Sequence, residues 1–346
     1  MQPSASRGCG CGCGRFFGKG CLIFLITIVV LALLNNLPWF ATPATDRFAL
    51  WPDSTRDALS FYPPIEPIVS DLENSQDYEV TFFPAQVLSR WLKISNIDLS
   101  AVSEVALLNV VQDGGGWWYK DLEFGYDEIT SAIAIVKLSN NEPDILQRLP
   151  TSTGTRTTIG GKPAIAFDNP FPWLEEERRR MKRPAIEPWF MTTLDQQTVI
   201  IGGRTAVEYV LNTASGSRDA ITSRRVMRPL LKDMESFRTV RAYFVSPTKE
   251  KAIPVVHEVV QILTAIPGLD LVYKYRARAF GFSSLPDGRC TRTVGYQYKT
   301  RGAGFIHTAF LRTGTAEGYV VHGGSGLAVF TEPVACADIL GGSNHN

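Results

Sequence analysis

The sequence predicts an α+β fold: antiparallel sheets with helices packed on one face, in two related units preceded by one transmembrane helix. Three observations predict it. The stretch Cys21–Phe40, CLIFLITIVVLALLNNLPWF, is apolar over the length of a membrane span. The body behind it runs strand, helix, strands, helix, hairpins, helix, then strand, long helix, strands. The strand–helix opening at Tyr78 is echoed by pattern at Val240.

Composition supports a folded body. The 346 residues are 45% hydrophobic and 20% charged, enough to bury a core. A formal net charge of +1 argues against a nucleic-acid protein. Of six cysteines, Cys9, Cys11, Cys13 and Cys21 lie in or beside the N-terminal tail. Cys290 and Cys336 are in the body, either paired or as two separate thiols.

Residues 1–20 are Gly-rich and without an apolar face, and read as a disordered cytoplasmic tail. The CGCGCG run carries thiolates, but structural zinc sites space their ligands more widely. No metal or cofactor is expected. Residues 21–40 make about 20 residues, or about 30 Å of helix, with Trp39 at headgroup level. Arg7, Arg15 and Lys19 precede the span and no charge follows it before Asp46. The positive-inside rule therefore places the tail in the cytoplasm and the body outside, as a single-pass membrane protein. A cleaved signal peptide is the competing reading.

Residues 41–75 carry Pro43, Pro52, Pro63, Pro64 and Pro67 and read as a Pro-rich spacer, with one short helix at Ser54–Phe61. The first α+β unit is assigned to residues 76–235. It opens with the strand Tyr78–Phe83 and a helix at Pro84–Lys93 with a Val87, Leu88, Trp91, Leu92 stripe. Strands follow at Val105–Val111 and Ala132–Leu138, then a short helix at Glu142–Leu149. Thr155–Phe167 is a hairpin turning at Gly160–Gly161. Trp173–Arg183 is a charged, solvated interruption. Strands at Trp189–Leu194 and Thr198–Ile201 precede helices at Thr205–Asn212 and Arg224–Met234.

The second unit is assigned to residues 236–340. A strand at Val240–Val245 leads into a helix with a Val256, Val259, Val260, Leu263 stripe. The remainder reads as sheet: Tyr273–Arg278, Thr291–Lys299, Phe305–Arg312, Glu317–Val321 and Leu327–Phe330.

Four segments carry a resemblance: YEVTFFPAQVLSRWLK, NIDLSAVSEVALLNV, IGGKPAIAF and DQQTVIIGGRTAVEYVLN. Over Asp77–Val245 the chain resembles the uncharacterised envelope proteins of planctomycete-type bacteria. That resemblance implies an N-terminal membrane segment and paired α+β units. It supplies no catalytic residues.

Chemistry-bearing motifs are few. His322-Gly323-Gly324-Ser325-Gly326 invites a hydrolase reading, but strand-like Leu327–Phe330 follows where a nucleophile elbow needs a helix. The histidines form no HxH or HExxH pair, although His307 and His322 lie on strands that can be neighbours. Glu175, Glu176 and Glu177 are neutralised by the arginines after them. Gly202 and Gly203 precede a helix and read as a plain strand-to-helix turn. Two ligand-binding candidates remain. Trp117, Trp118 and Tyr119 follow a triple-Gly loop, where ring faces can stack on sugars. Lys274, Arg276 and Arg278 alternate along one strand and are expected to share one face, suited to an anionic headgroup or acidic polymer.

The favoured reading is a non-enzymatic binding or structural module of the cell envelope, held by its N-terminal helix, with an envelope polymer or protein as partner. The rivals are a carbohydrate- or peptidoglycan-binding module using the Trp117 loop, and a hydrolase using the His307/His322 region.

Overall fold

The computed structural model describes residues 43–63, 99–110, 132–142, 145–149, 154–167, 188–244, 275–284, 289–298, 301–314, 320–324 and 326–334, with single positions at 88, 176, 179 and 180. Residues 42–346 belong to one compact unit.

Twelve strands form a single antiparallel sheet. They are β1 (Thr55–Phe61), β2 (Val102–Val110), β3 (Ala132–Leu138), β4 (Thr155–Ile159), β5 (Lys162–Phe167) and β6 (Trp189–Thr193). The others are β7 (Thr198–Gly203), β8 (Thr239–Phe244), β9 (Tyr275–Ser284), β10 (Cys290–Tyr298), β11 (Val320–Gly324) and β12 (Leu327–Val334). Their order across the sheet is β11-β12-β10-β9-β8-β1-β2-β3-β7-β6-β5-β4. Among the described residues four α-helices accompany it: α1 (Ile145–Arg148), α2 (Arg204–Ala214), α3 (Arg228–Met234) and α4 (Arg301–Gly314).

This corrects the expected fold in three respects. The two halves are not separate sheets, because β1 joins them by pairing with β2 on one side and β8 on the other. The helices are not confined to one face. Among the described residues, no helix is long and apolar enough to cross a membrane. The expected span Cys21–Phe40 lies outside the described residues.

The sheet is covered on both sides, which explains its apolar strands. VSEVALLNV in β2 is buried at every position but one. Successive residues point to opposite faces. Leu59, Val105, Leu107, Ala134, Val136, Val199 and Ile201 face one core, closed by Ile145 and Leu146 of α1. Ala58, Ala106, Leu108, Ile133, Ile135 and Ile200 face the other. There, Val207, Val210 and Leu211 of α2 and Leu230, Leu231 and Met234 of α3 complete the layer. Helix α4 lies near the β11 edge on the α1 side, where Ala303 and Leu311 meet Tyr298 and Ala328.

Residues 43–61, within the stretch read as a spacer, belong to this body. Phe48, Trp51 and Phe61 are fully buried. Ser54–Phe61, read as a short helix, holds the central strand. Arg47 fixes the preceding turn. Its Nε meets Glu104 at 3.3 Å, Nη2 donates to Ser60 Oγ at 3.1 Å, and Nη1 donates to the Glu235 carbonyl at 2.9 Å. Lys137 Nζ takes the second Glu104 oxygen at 2.8 Å. The buried carboxylate therefore has cationic partners from two segments.

Cys290 is disulfide-bonded, and its partner lies outside the described residues. Its register partner on β12 is Val334, two positions before Cys336.

Candidate functional site

The two candidate sets fare differently. Trp117, Trp118, Tyr119 and Lys274 lie outside the described residues. Arg276 and Arg278 lie on β9, but not on one face. Gln297 pairs with Ala277 and Tyr298 with Tyr275, so Arg276 is an extra residue, a β-bulge. The alternation changes phase there. Tyr275 joins the core under α4, whereas Ala277 and Ala279 join the α2/α3 core. Arg276 accordingly acts on Arg224 on the α3 side, where burial and then Arg276 lower the Arg224 pKa against the pull of Asp53. Arg278 emerges on the opposite face.

On that opposite face Arg278 stands in a ladder of rings. Its guanidinium lies 4.4 Å from the Phe280 ring centre and 5.3 Å from that of Tyr296. Phe280 meets Tyr243 edge-on at 6.2 Å, and Arg241 lies 5.3 Å from the Tyr243 ring. Tyr296 meets Tyr275 at 5.3 Å and His307 at 5.0 Å. Tyr243, Arg278, Phe280 and Tyr296 are half-buried, so the ladder touches solvent along its length. Cross-strand neighbours on one face of β8, β9 and β10 place them in this row.

The electrostatics are local. Burial raises the Tyr296 phenol above its ordinary range, and Arg278 opposes that rise. Arg278 Nε is buried and makes no hydrogen bond among the described residues. Arg292 is committed elsewhere: its Nε donates to Glu332 across the strand pair at 2.6 Å. The half-buried Arg278 guanidinium sets a positive charge beside two rings, an arrangement suited to an acidic group carried on a ring.

His307 and His322 are not brought together. His307 Nδ1 meets Tyr298 Oη at 2.6 Å under α4, and burial lowers its pKa to about 4. His322 faces α3 on the other side, with Nε2 3.3 Å from Asp233 Oδ1. Burial raises the Asp233 pKa, and His322 opposes the shift. The sheet itself separates the two histidines, as the opposite orientations of Ala328 and Val329 show. His322, Gly323 and Gly324 end β11, paired with Val329, Ala328 and Leu327 of β12, and Gly326 adopts φ 82°. Among the described residues, no cluster of His, Cys, Asp or Glu could hold a metal ion.

The ladder was only partly legible in the sequence. Arg278 stands on the expected strand Tyr273–Arg278, but Phe280 lies beyond it, Tyr296 and Tyr243 join through strand pairing, and His307 joins through helix α4 in place of the expected strand.

No family model matches the chain, and no curated protein matches it. Two solved structures of TP0453, crystal forms I and III, are similar to it at 10% identity, with TM-scores of 0.39 and 0.37. Each alignment covers 84% of this chain and 94% of the other. A likeness at that level carries no argument and has no bearing on the planctomycete-type resemblance.

Proposed function

We propose that the chain is a non-enzymatic binding module of the cell envelope, working outside the cytoplasm, and that the Arg278 ladder contacts an acidic, ring-bearing envelope polymer. One observation carries this reading: the half-buried Arg278 guanidinium stacks on Phe280 and Tyr296 in a row that touches solvent. Sugar rings stack on such faces, and carboxylate or phosphate substituents pair with guanidinium. The disulfide at Cys290 supports an oxidising compartment. His307 and His322 lie on opposite faces of the sheet, which counts against a hydrolase built on that pair.

The test is co-sedimentation of the full chain with insoluble acidic cell-wall polysaccharide at low salt, with a neutral glucan as control. Arg278→Gln should weaken binding about tenfold or more, as expected for one charge-assisted contact. Equal binding by parent and Arg278→Gln, or equal binding to both polymers, rules the reading out.

A further inference from the structure

Helix α4 buries small residues against the sheet and turns two large apolar side chains outwards. Ala303, Gly304 and Thr308 are buried against β11 and β12. A Cβ on Gly304 would lie 2.4 Å from the Gly326 carbonyl carbon, so the helix approaches that turn as closely as backbone allows. Thr308 Oγ1 caps this inner face by donating to the Gly304 carbonyl at 2.8 Å. On the outer side, Gly302, Phe305, Ile306, Ala309 and Arg312 recur at helical spacing and are all exposed. Phe305 is 76% exposed and Ile306 is 40% exposed. They are the exposed large apolar side chains among the described residues. An ordinary amphipathic helix would turn these two towards the core.

The charge on this helix is one-sided. RGAGFIHTAFLRTG holds arginine at positions 301 and 312 and no acidic residue. About 21 Å of helix therefore presents a ring and a branched aliphatic chain at its middle with cations towards its ends. A phenyl ring enters the headgroup boundary, and long arginine stems keep their heads among the phosphates.

We infer that the outer stripe of α4 rests on an anionic lipid surface, with Phe305 and Ile306 in the headgroup boundary and Arg301 and Arg312 among the lipid phosphates. This surface differs from the Arg278 ladder in residues and ligand, and the inference goes beyond polymer binding. The lipid is identified by its chemistry, an anionic headgroup over acyl chains.

The full chain is reconstituted in phosphatidylcholine vesicles with or without phosphatidylglycerol. Photoreactive benzoylphenylalanine replaces Phe305 or, as a control, Gln196, an exposed residue of the β6–β7 turn. Unchanged thermal melts confirm that both labelled proteins fold. Irradiation should give lipid adducts at position 305, few at 196, and more in the anionic vesicles. Arg312→Gln should lower the yield at 305 about fivefold, the effect of one cation at an anionic surface. Equal yields at 305 and 196, equal yields in the two vesicle types, or an adduct to protein in place of lipid each overturn the inference. Arg278→Gln reads out the polymer separately, so failure of one leaves the other standing.

Discussion

Tyr298 and His307 share a 2.6 Å hydrogen bond that ties α4 to β10. Burial holds the His307 pKa at about 4, below its ordinary 6.5. A base with a depressed pKa takes up its proton in the unfolded chain first. Its contribution is intact above about pH 6.5 and is lost between there and pH 4, amounting to about 3 kcal/mol at the low end. Urea midpoints at pH 7 and pH 4.5 measure this. The wild type should lose about 2–3 kcal/mol more than His307→Gln over that interval; equal losses would show that His307 does not titrate across it. Tyr298→Phe should cost about 1–2 kcal/mol at pH 7 by leaving Nδ1 unsatisfied.

Arg47 and Glu104 form a buried pair; removing Arg47 leaves Glu104 with Lys137 on one oxygen and without its buried cation on the other. Arg47→Met should destabilise the protein by about 3–5 kcal/mol. Adding Glu104→Gln should recover part of the loss. A double-mutant cycle in urea checks both, and a coupling energy near zero would contradict the role given to the pair.

Two glycines should respond in opposite directions. A Cβ at Gly202 would meet the Ala132 carbonyl oxygen at 2.5 Å and Ile133 Cα at 2.9 Å, and both are backbone atoms. Gly202→Ala should cost about 1–3 kcal/mol. Gly302, in the first turn of α4, has nothing within 4 Å. Gly302→Ala should raise stability by roughly 0.5–1 kcal/mol. Thermal denaturation of the two variants separates the cases, and a stabilised Gly202→Ala would refute the close β3–β7 approach.

Chain boundaries give a fourth test. A chain beginning at Thr42 retains β1 and the Arg47 turn, and should melt cooperatively. One beginning at Asp77 lacks the strand that joins β2 to β8, and should not. Differential scanning calorimetry reads the difference, and a cooperative melt for the shorter chain would show that the sheet closes without β1.

Much of the sheet could be read from residue pattern. Ala132–Leu138 matches β3, and the Gly160–Gly161 turn has φ of 54° and 76° at the hairpin predicted there. Two elements were read as the opposite type. TRDALSF in β1 lacks β-branched residues beyond Thr55 and holds a buried Asp57, satisfied by Arg56 at 2.7 Å and Asn109 at 2.8 Å. Asn109 comes from tertiary pairing with β2, which sequence pattern does not display. Phe305–Arg312 suggested a strand because glycine and threonine surround its apolar residues. The fit of Gly304 against Gly326 outweighs that weak helix propensity. The ladder was legible only along β9, since its rungs cross strands, and the bulge at Arg276 reversed one arginine.

The pairing of β1 with β8 also sets a timetable. Ala58 sits opposite Ala242, so the strand made first waits for a partner made roughly 180 residues later. At cellular synthesis speed the wait is on the order of ten to forty seconds. Through that interval β1 can pair with β2 alone, and its other edge stays open to any strand that meets it. Nascent chains stalled before residue 239 should therefore recruit holding chaperones, and release from them should coincide with emergence of β8.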